Sequence, residues 1–207
     1  MAAPTRFERR RTRTHAALLD AAIELFQGKG IRGTTIEEIC EHADVSPRTF
    51  FNHFETREHL YAAIAGQRAA EFATLLEAQC ADPRPLEQRL PEFFTAVGRG
   101  IAMMPAYREL LGEMLRVRLD GGSETVRGRS LGQAALRFVV DGVERGEITA
   151  AHRPEILADI LLGALTNAVG NWSADESYEL EGELDQTAAA LLDLFAAGRQ
   201  RTQRRTT

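Results

Sequence analysis

The sequence lacks any long hydrophobic run and contains little cysteine. No stretch of about 18 apolar residues occurs, so we expect no transmembrane helix. The arginine-rich beginning has no apolar region typical of a secretory signal, which predicts a cytoplasmic protein. The two cysteines, Cys40 and Cys80, lie far apart and form no CxxC, so neither a disulfide framework nor a zinc site is expected. We interpret both as small buried or half-buried hydrophobic residues.

Motifs of catalysis and cofactor binding are also missing. The five histidines include no HExxH or other metal-ligand spacing, and no GxSxG, Walker-type or strand-associated GxGxxG loop occurs. The 30 acidic residues form no recognisable catalytic pair. We therefore expect no catalytic residue, no metal, no cofactor and no enzymatic activity.

Charge is unevenly distributed along the chain. The net charge is −5, which argues against DNA binding when taken alone. Residues 1–15, however, contain five arginines and one glutamate, and residues 199–207 contain four arginines and no acid. Basic ends on an acidic body suggest a local contact with nucleic acid. For the first segment, contact with a minor groove or with phosphates and a disordered solubilising tail remain alternatives. We interpret the second segment as a disordered tail.

Apolar residues recur at helical spacing almost throughout, and the alternating pattern of strands does not occur. The sequence therefore predicts an all-α fold of about nine helices. A capping box at Thr35–Glu38 begins the second helix, and Ser46 followed by Pro47 begins the third. The predicted helices lie near residues 9–28, 35–43, 46–54, 57–80, 86–103, 105–118, 124–145, 154–172 and 183–198.

The two short helices at 35–43 and 46–54 have helix-turn-helix spacing. Phe50 and Phe54, one turn apart, can anchor the second of them in a core. Its polar residues then face outward, which is the division that a DNA-recognition helix requires. These polar residues are Ser46, Arg48, Thr49, Asn52 and His53.

The stretch from Arg10 to Ile64 resembles the N-terminal domain of the TetR family of transcriptional regulators. The resemblance rests on Ala21–Phe26, Gly30, Gly33–Ile39, Val45–Ser46, Thr49–Phe54 and Arg57–Glu58. It implies a homodimeric DNA-binding protein in which Arg57 grips a phosphate and six residues contact DNA: Thr35, Ser46, Arg48, Thr49, Asn52 and His53. Two positions depart from the family pattern, with Asp44 where Gly is usual and Phe51 where Tyr is frequent.

The resemblance and the charge distribution together predict three segments. Residues 1–56 are expected to form the N-terminal arm and the helix-turn-helix domain. Residues 57–198 are expected to form a ligand-binding and dimerisation domain, joined through the helix that begins at 57. Residues 199–207 are the basic tail.

Large apolar and aromatic side chains in the second segment are interpreted either as plain core or as the lining of a ligand cavity. The candidate lining residues are Phe94, Met103, Tyr107, Met114, Phe138, Asn167 and Trp172. The helix at 154–172 is apolar on more than one face, which predicts a four-helix dimer interface with the last helix, burial within the same chain being the alternative. The candidate interface residues are Leu161, Leu165, Leu191 and Phe195.

Together these features predict a repressor that a mainly apolar small molecule releases from a palindromic DNA operator. The alternatives are an activator, a regulator without a ligand, and a helical enzyme or scaffold without affinity for DNA.

Overall fold

The computed structural model describes the backbone of residues 5–104, 106–119 and 127–203, and the side chains of these ranges except 113–119, 127–129 and 197–203. Within those ranges every regular element is a helix, which confirms the predicted all-α fold. The helices are α1 (Arg6–Lys29), α2 (Ile36–His42), α3 (Pro47–His53), α4 (Arg57–Ala81), α5 (Leu86–Ala102), α6 (Ala106–Leu119), α7 (Arg127–Glu144), α8 (Pro154–Ala174) and α9 (Leu180–Gln203). None of the described helices combines the length and hydropathy needed to span a membrane.

The first of two compact units contains α1 to α3, the beginning of α4, and α6. α1 packs on α2, and α2 packs on α3. Leu18, Phe26, Ile39 and Phe50 are fully or almost fully buried in this unit. Burial of a side chain of this size stabilises a fold by roughly 1.5–3 kcal/mol, so four such residues fix how these short helices pack.

The loop between α1 and α2 is held by two other helices of the same unit. Gly30 ends α1 with a φ of 77°, in the left-handed region that favours glycine. The carboxylate of Glu109 in α6 accepts hydrogen bonds from the backbone N–H groups of Ile31, at 2.9 Å, and Arg32, at 3.3 Å. Arg57 of α4 donates to the carbonyl oxygen of Ile31. The loop is therefore fixed by contacts from α4 and α6 as well as by its own helices.

The second unit contains α4 from Gln67 onward, α5 and α7 to α9. α9 packs against α5 and α8, and α8 also packs against α7. Gly98 permits the close approach of α5 to α9, because a Cβ at this position would lie 3.2 Å from the side chain of Leu184. The boundary predicted at residue 56 separates two functions and remains a prediction. The division of the chain into compact units falls ten residues later, within α4 at Gly66.

An arginine is completely buried in the second unit. Arg89 of α5 has an exposed fraction of 0% and forms an ion pair with Glu147. Its Nη1 donates to the carbonyl oxygen of Gln79 at 2.7 Å and lies 3.5 Å from Asp141. The guanidinium lies 5.5 Å from the ring centroid of Phe138. A buried charge requires such partners, because an unpaired one costs several kcal/mol in desolvation.

Candidate nucleic-acid interface

The third helix has a local sequence that fixes both of its ends. The side chain of Ser46 accepts a hydrogen bond from the backbone N–H of Thr49 at 3.2 Å, and Pro47 occupies the first turn. Phe50 and Phe54 are buried, with ring centroids 5.5 Å apart. Because these two rings anchor one side of α3, its opposite side faces solvent.

The turn between α2 and α3 contains a residue in the left-handed region. Asp44 has a φ of 52°, and the N–H of Val45 donates to the carbonyl oxygen of Cys40 at 2.9 Å. Aspartate tolerates this backbone conformation better than most residues with a side chain. The substitution of Asp for the usual Gly is therefore compatible with the tight turn.

The seven predicted DNA-contacting residues all lie in the first unit, with different degrees of exposure. Thr35, Ser46, Arg48 and Asn52 are exposed, and the other three, Thr49, His53 and Arg57, are half-buried.

The hydroxyl groups of this set are engaged in helix capping. Thr35 forms a capping box with Glu38, and Ser46 and Thr49 share a hydrogen bond of 2.9 Å between their hydroxyl groups. Arg48 and Asn52 have no hydrogen bond or ion pair within the described residues, and they lie one turn apart on the exposed side of α3. These two side chains are the most available for base edges.

Arg57 has a structural partner that the sequence pattern did not indicate. Its guanidinium donates to the carbonyl oxygen of Ile31 and lies 5.6 Å from the ring centroid of Tyr61. The predicted phosphate contact of Arg57 would therefore use its remaining N–H groups, and it stays a prediction.

A pair of histidines connects α1 to α3. The ring of His15 lies 4.7 Å from that of Phe54 and 5.8 Å from that of His53. Burial, followed by the charges of His53 and Arg11, lowers the pKa of His15. Burial, followed by Arg11, also lowers the pKa of His53. Both lowered pKa values favour the neutral form of the rings, and a neutral His53 can serve as donor or acceptor.

His15 was missed by sequence reasoning because it lies on α1, far from α3 along the chain. Its helical position beside Leu18 and Leu19 is the only sequence signal that it faces the core.

The predicted ligand-contacting residues are divided between the two units. Phe94 and Phe138 are buried in the second unit, and Tyr107 is buried in the first. Met103 is 80% exposed and Asn167 is exposed, so neither can line an enclosed cavity in this form, whereas Met104 is buried.

Two further candidates complete the set. Trp172 is half-buried. The side chain of Met114 lies outside the described residues. Two grooves among the described residues, one bordered by α1 and one by α4 and α7, are lined by other residues.

The four predicted interface residues are buried within the protomer, as in the alternative interpretation. Leu161 and Phe195 have no exposed surface, and Leu165 and Leu191 retain 5% and 4%. They therefore cannot supply contact area to a partner, since almost none of their surface is available. The opposite side of α8 is exposed, and the residues on it include Ile156, Ile160, Gly163 and Asn167.

Comparison with known proteins places this geometry in a family. Residues 18–64 match the family model described as bacterial regulatory proteins, tetR family. The HTH-type transcriptional regulator TcmR of Streptomyces glaucescens is 36% identical over 132 residues, which cover 64% of this chain and 50% of the relative. The chain therefore spans half the length of that relative.

Two other matches extend over most of the chain. The HTH-type transcriptional repressor DhaR of Mycobacterium sp. (strain GP1) is 26% identical, with 82% of this chain and 87% of the relative covered. The structure of Thermus thermophilus FadR, described as a transcriptional repressor in complex with lauroyl-CoA, has a TM-score of 0.68 at 24% identity and covers 87% of this chain and 94% of the other. The helix-turn-helix at 36–53, the family model and these likenesses lead to one conclusion: residues 18–64 form a DNA-binding domain of the type found in the tetR family of bacterial regulatory proteins.

Proposed function

We propose that the protein is a cytoplasmic homodimeric repressor that binds a palindromic operator through α3 and leaves it when a mainly apolar small molecule binds. The observation that carries the DNA-binding part is the capped recognition helix, in which Phe50 and Phe54 are buried while Arg48 and Asn52 face solvent. An arginine can make bidentate hydrogen bonds to guanine and an asparagine to adenine in the major groove. The repressor role is supported by the name of DhaR and by the description of Thermus FadR.

The first experiment tests recognition of DNA. Duplexes enriched from a random pool by the wild-type protein are expected to contain an inverted repeat, because a two-fold dimer presents two recognition helices. Arg48→Ala and Asn52→Ala are each expected to weaken binding to the enriched duplex by about 1–3 kcal/mol. Fluorescence anisotropy measures this change.

The matched control is Arg99→Ala, which removes an exposed arginine of α5 in the other unit. It is expected to leave the affinity unchanged. Failure to enrich any sequence would contradict the function, and wild-type affinity of both α3 variants would contradict the assignment of the recognition residues.

The homodimer is proposed to use the exposed side of α8. Ile156 and Ile160 are 46% and 40% exposed and lie one turn apart on the same side of α8, so together they form an apolar patch that a partner helix can cover. Gly163 has no heavy atom within 4 Å of where a Cβ would lie, so a second helix could approach the backbone there. This surface replaces the four buried residues as the predicted interface.

Analytical ultracentrifugation tests the dimer. Ile156→Asp combined with Ile160→Asp is expected to give a folded monomer, because two buried carboxylates would disfavour association. Leu75→Asp is the control, since Leu75 is an exposed leucine of α4 with 37% of its surface accessible. A wild-type monomer at micromolar concentration would contradict the proposal.

The ligand is proposed to be mainly apolar. The large buried aromatic residues of the second unit, Phe94 and Phe138 among them, support this class. A hundredfold loss of operator affinity requires about 2.7 kcal/mol of preferential binding to the DNA-free state. Release of the enriched duplex by uncharged aliphatic or aromatic compounds, with lauroyl-CoA as a comparison, measures this effect. Release by lauroyl-CoA alone would contradict the apolar class.

A further inference from the structure

The beginning of α1 carries a row of arginines on one face. Arg6, Arg9, Arg10 and Arg13 follow the spacing i, i+3, i+4 and i+7, which places them on the same side of a helix. All four are exposed. Within the part of the chain that the structure describes, none of them has a hydrogen bond or an ion pair. Several arginines elsewhere are each paired with a carboxylate, namely Arg68, Arg84, Arg89, Arg137 and Arg145.

This arginine face, Arg6, Arg9, Arg10 and Arg13, borders the start of the recognition helix. The arginine face and the turn at residues 43–45 line an open groove of about 1070 Å³. The turn leads directly into Ser46, the N-cap of α3. Among the residues that line the groove, Asp44 is acidic and the four arginines are basic, so the groove carries a net positive charge.

Local energetics do not explain the arginine face. Cations at the N-terminal end of a helix oppose its macrodipole, and like charges three or four residues apart repel each other. Glu8 lies on the opposite side of the helix, where its carboxylate accepts a hydrogen bond from the N–H of Thr5 in a capping box. This capping interaction lowers the pKa of Glu8, which keeps the carboxylate ionised at its capping position. The arginine face is thus an unneutralised cationic surface, and an anionic partner would relieve its repulsion.

We propose that the arginine face binds the phosphate groups of duplex DNA next to the base pairs that α3 contacts. This inference rests on the proposed DNA-binding function. The arginines belong to a capped helix that begins at Arg6, and a helix with its side chains is about 10–12 Å wide, whereas the minor groove is about 6 Å wide. The face therefore contacts the sugar–phosphate backbone and does not enter the minor groove. Its contribution to affinity is independent of DNA sequence.

The salt dependence of binding tests this proposal. In one variant the four arginines become Gln, which retains helix propensity and removes the charge. Fluorescence anisotropy at several KCl concentrations is measured with the enriched duplex and with a random-sequence duplex. The slope of log K against log[KCl] is expected to become shallower by about 0.9 for each phosphate that the variant no longer neutralises, which is about 3.6 for the four arginines of one protomer and about 7.2 for a bound dimer. Both duplexes are expected to lose the same factor in affinity.

Two controls separate charge from structure. Replacement of the four arginines by Lys is expected to retain most of the slope, and Arg99→Gln in the other unit is expected to leave it unchanged. Circular dichroism and the thermal midpoint verify that the Gln variant is folded. If the folded Gln variant keeps the wild-type slope, the arginine face does not bind phosphate.

A second outcome would also overturn the proposal. If the Gln variant loses its preference for the enriched duplex over the random one, the arginines read bases and not phosphates. Absence of DNA binding by the wild-type protein is a different result, because it would contradict the proposed function itself.

Discussion

Replacement of Arg89 by Met tests how the second unit accommodates a fully buried charge. Methionine retains much of the volume of the arginine stem, so the change removes the charge and the hydrogen bonds with little loss of packing. Asp141 keeps a partner, since Arg145 lies 2.9 Å from its carboxylate. The main losses are therefore the ion pair with Glu147 and the hydrogen bond to the carbonyl oxygen of Gln79.

The magnitude follows from these partners. Removing one member of a buried ion pair costs about 3–5 kcal/mol. The Glu147 side chain is 19% exposed, so water can partly solvate the carboxylate that remains, which places the expected loss near the lower end of that range. We predict that Arg89→Met lowers the free energy of unfolding by about 3 kcal/mol.

Urea-induced unfolding measured by circular dichroism quantifies the loss, at one fixed protein concentration because association contributes to the stability of a dimer. Glu147→Gln and the double variant complete a double-mutant cycle, for which a coupling of about 1–2 kcal/mol is expected. If Arg89→Met is within about 0.5 kcal/mol of the wild type, the reasoning from burial and pairing is refuted.

Three further predictions concern stability and use the same urea titration. Gly142→Ala is expected to lower the free energy of unfolding by about 1–3 kcal/mol, because the new Cβ would lie 2.5 Å from the side chain of Ile148. Gly132→Ala in the same helix is expected to raise the free energy of unfolding by about 0.5–1 kcal/mol, because its Cβ would meet nothing within 4 Å. Equal effects of the two substitutions would contradict this prediction. Because the pKa of His15 is lowered in the fold, the unfolded chain binds more protons, so stability is expected to fall as pH decreases below 6.5, and His15→Gln should weaken that dependence. Asp44→Gly is expected to raise the free energy of unfolding by about 1 kcal/mol through relief of the left-handed backbone, and a loss of stability would show that the aspartate side chain outweighs this relief.

Features of the fold that depend on neighbouring residues were predictable from the sequence. The capping box of Thr35 and Glu38 and the N-cap at Ser46 are short local patterns, and the structure has helices beginning directly after both. The same kind of capping box at Thr5 and Glu8 was overlooked, so the predicted start of α1 was three residues late. The two sides of α3 were predictable, because Phe50 and Phe54 are one turn apart and buried, whereas Arg48 and Asn52 are exposed.

Features that depend on tertiary partners were not predictable. The apolar periodicity of α8 indicates that it is buried on more than one side, but it does not indicate which side its own protomer covers. Leu161 and Leu165 therefore lie in the core of the protomer, whereas Ile156 and Ile160 are exposed. Burial of Arg89 was not predictable for the same reason, since its ion-pair partner Glu147 lies 58 residues away along the chain and Gln79 belongs to the preceding helix.

The contrast between Met103 and Met104 has a chemical consequence. Peroxide converts an accessible thioether to a sulfoxide, and accessibility governs the rate. Met103 is 80% exposed and Met104 only 1% exposed, so two adjacent residues of the same type differ in their access to oxidant. Mass spectrometry of the peptide containing both residues resolves the two oxidation rates, with Met103 as an internal reference for the dose of oxidant. Oxidation of Met104 then measures how often this part of the chain opens, without any label being attached to the protein.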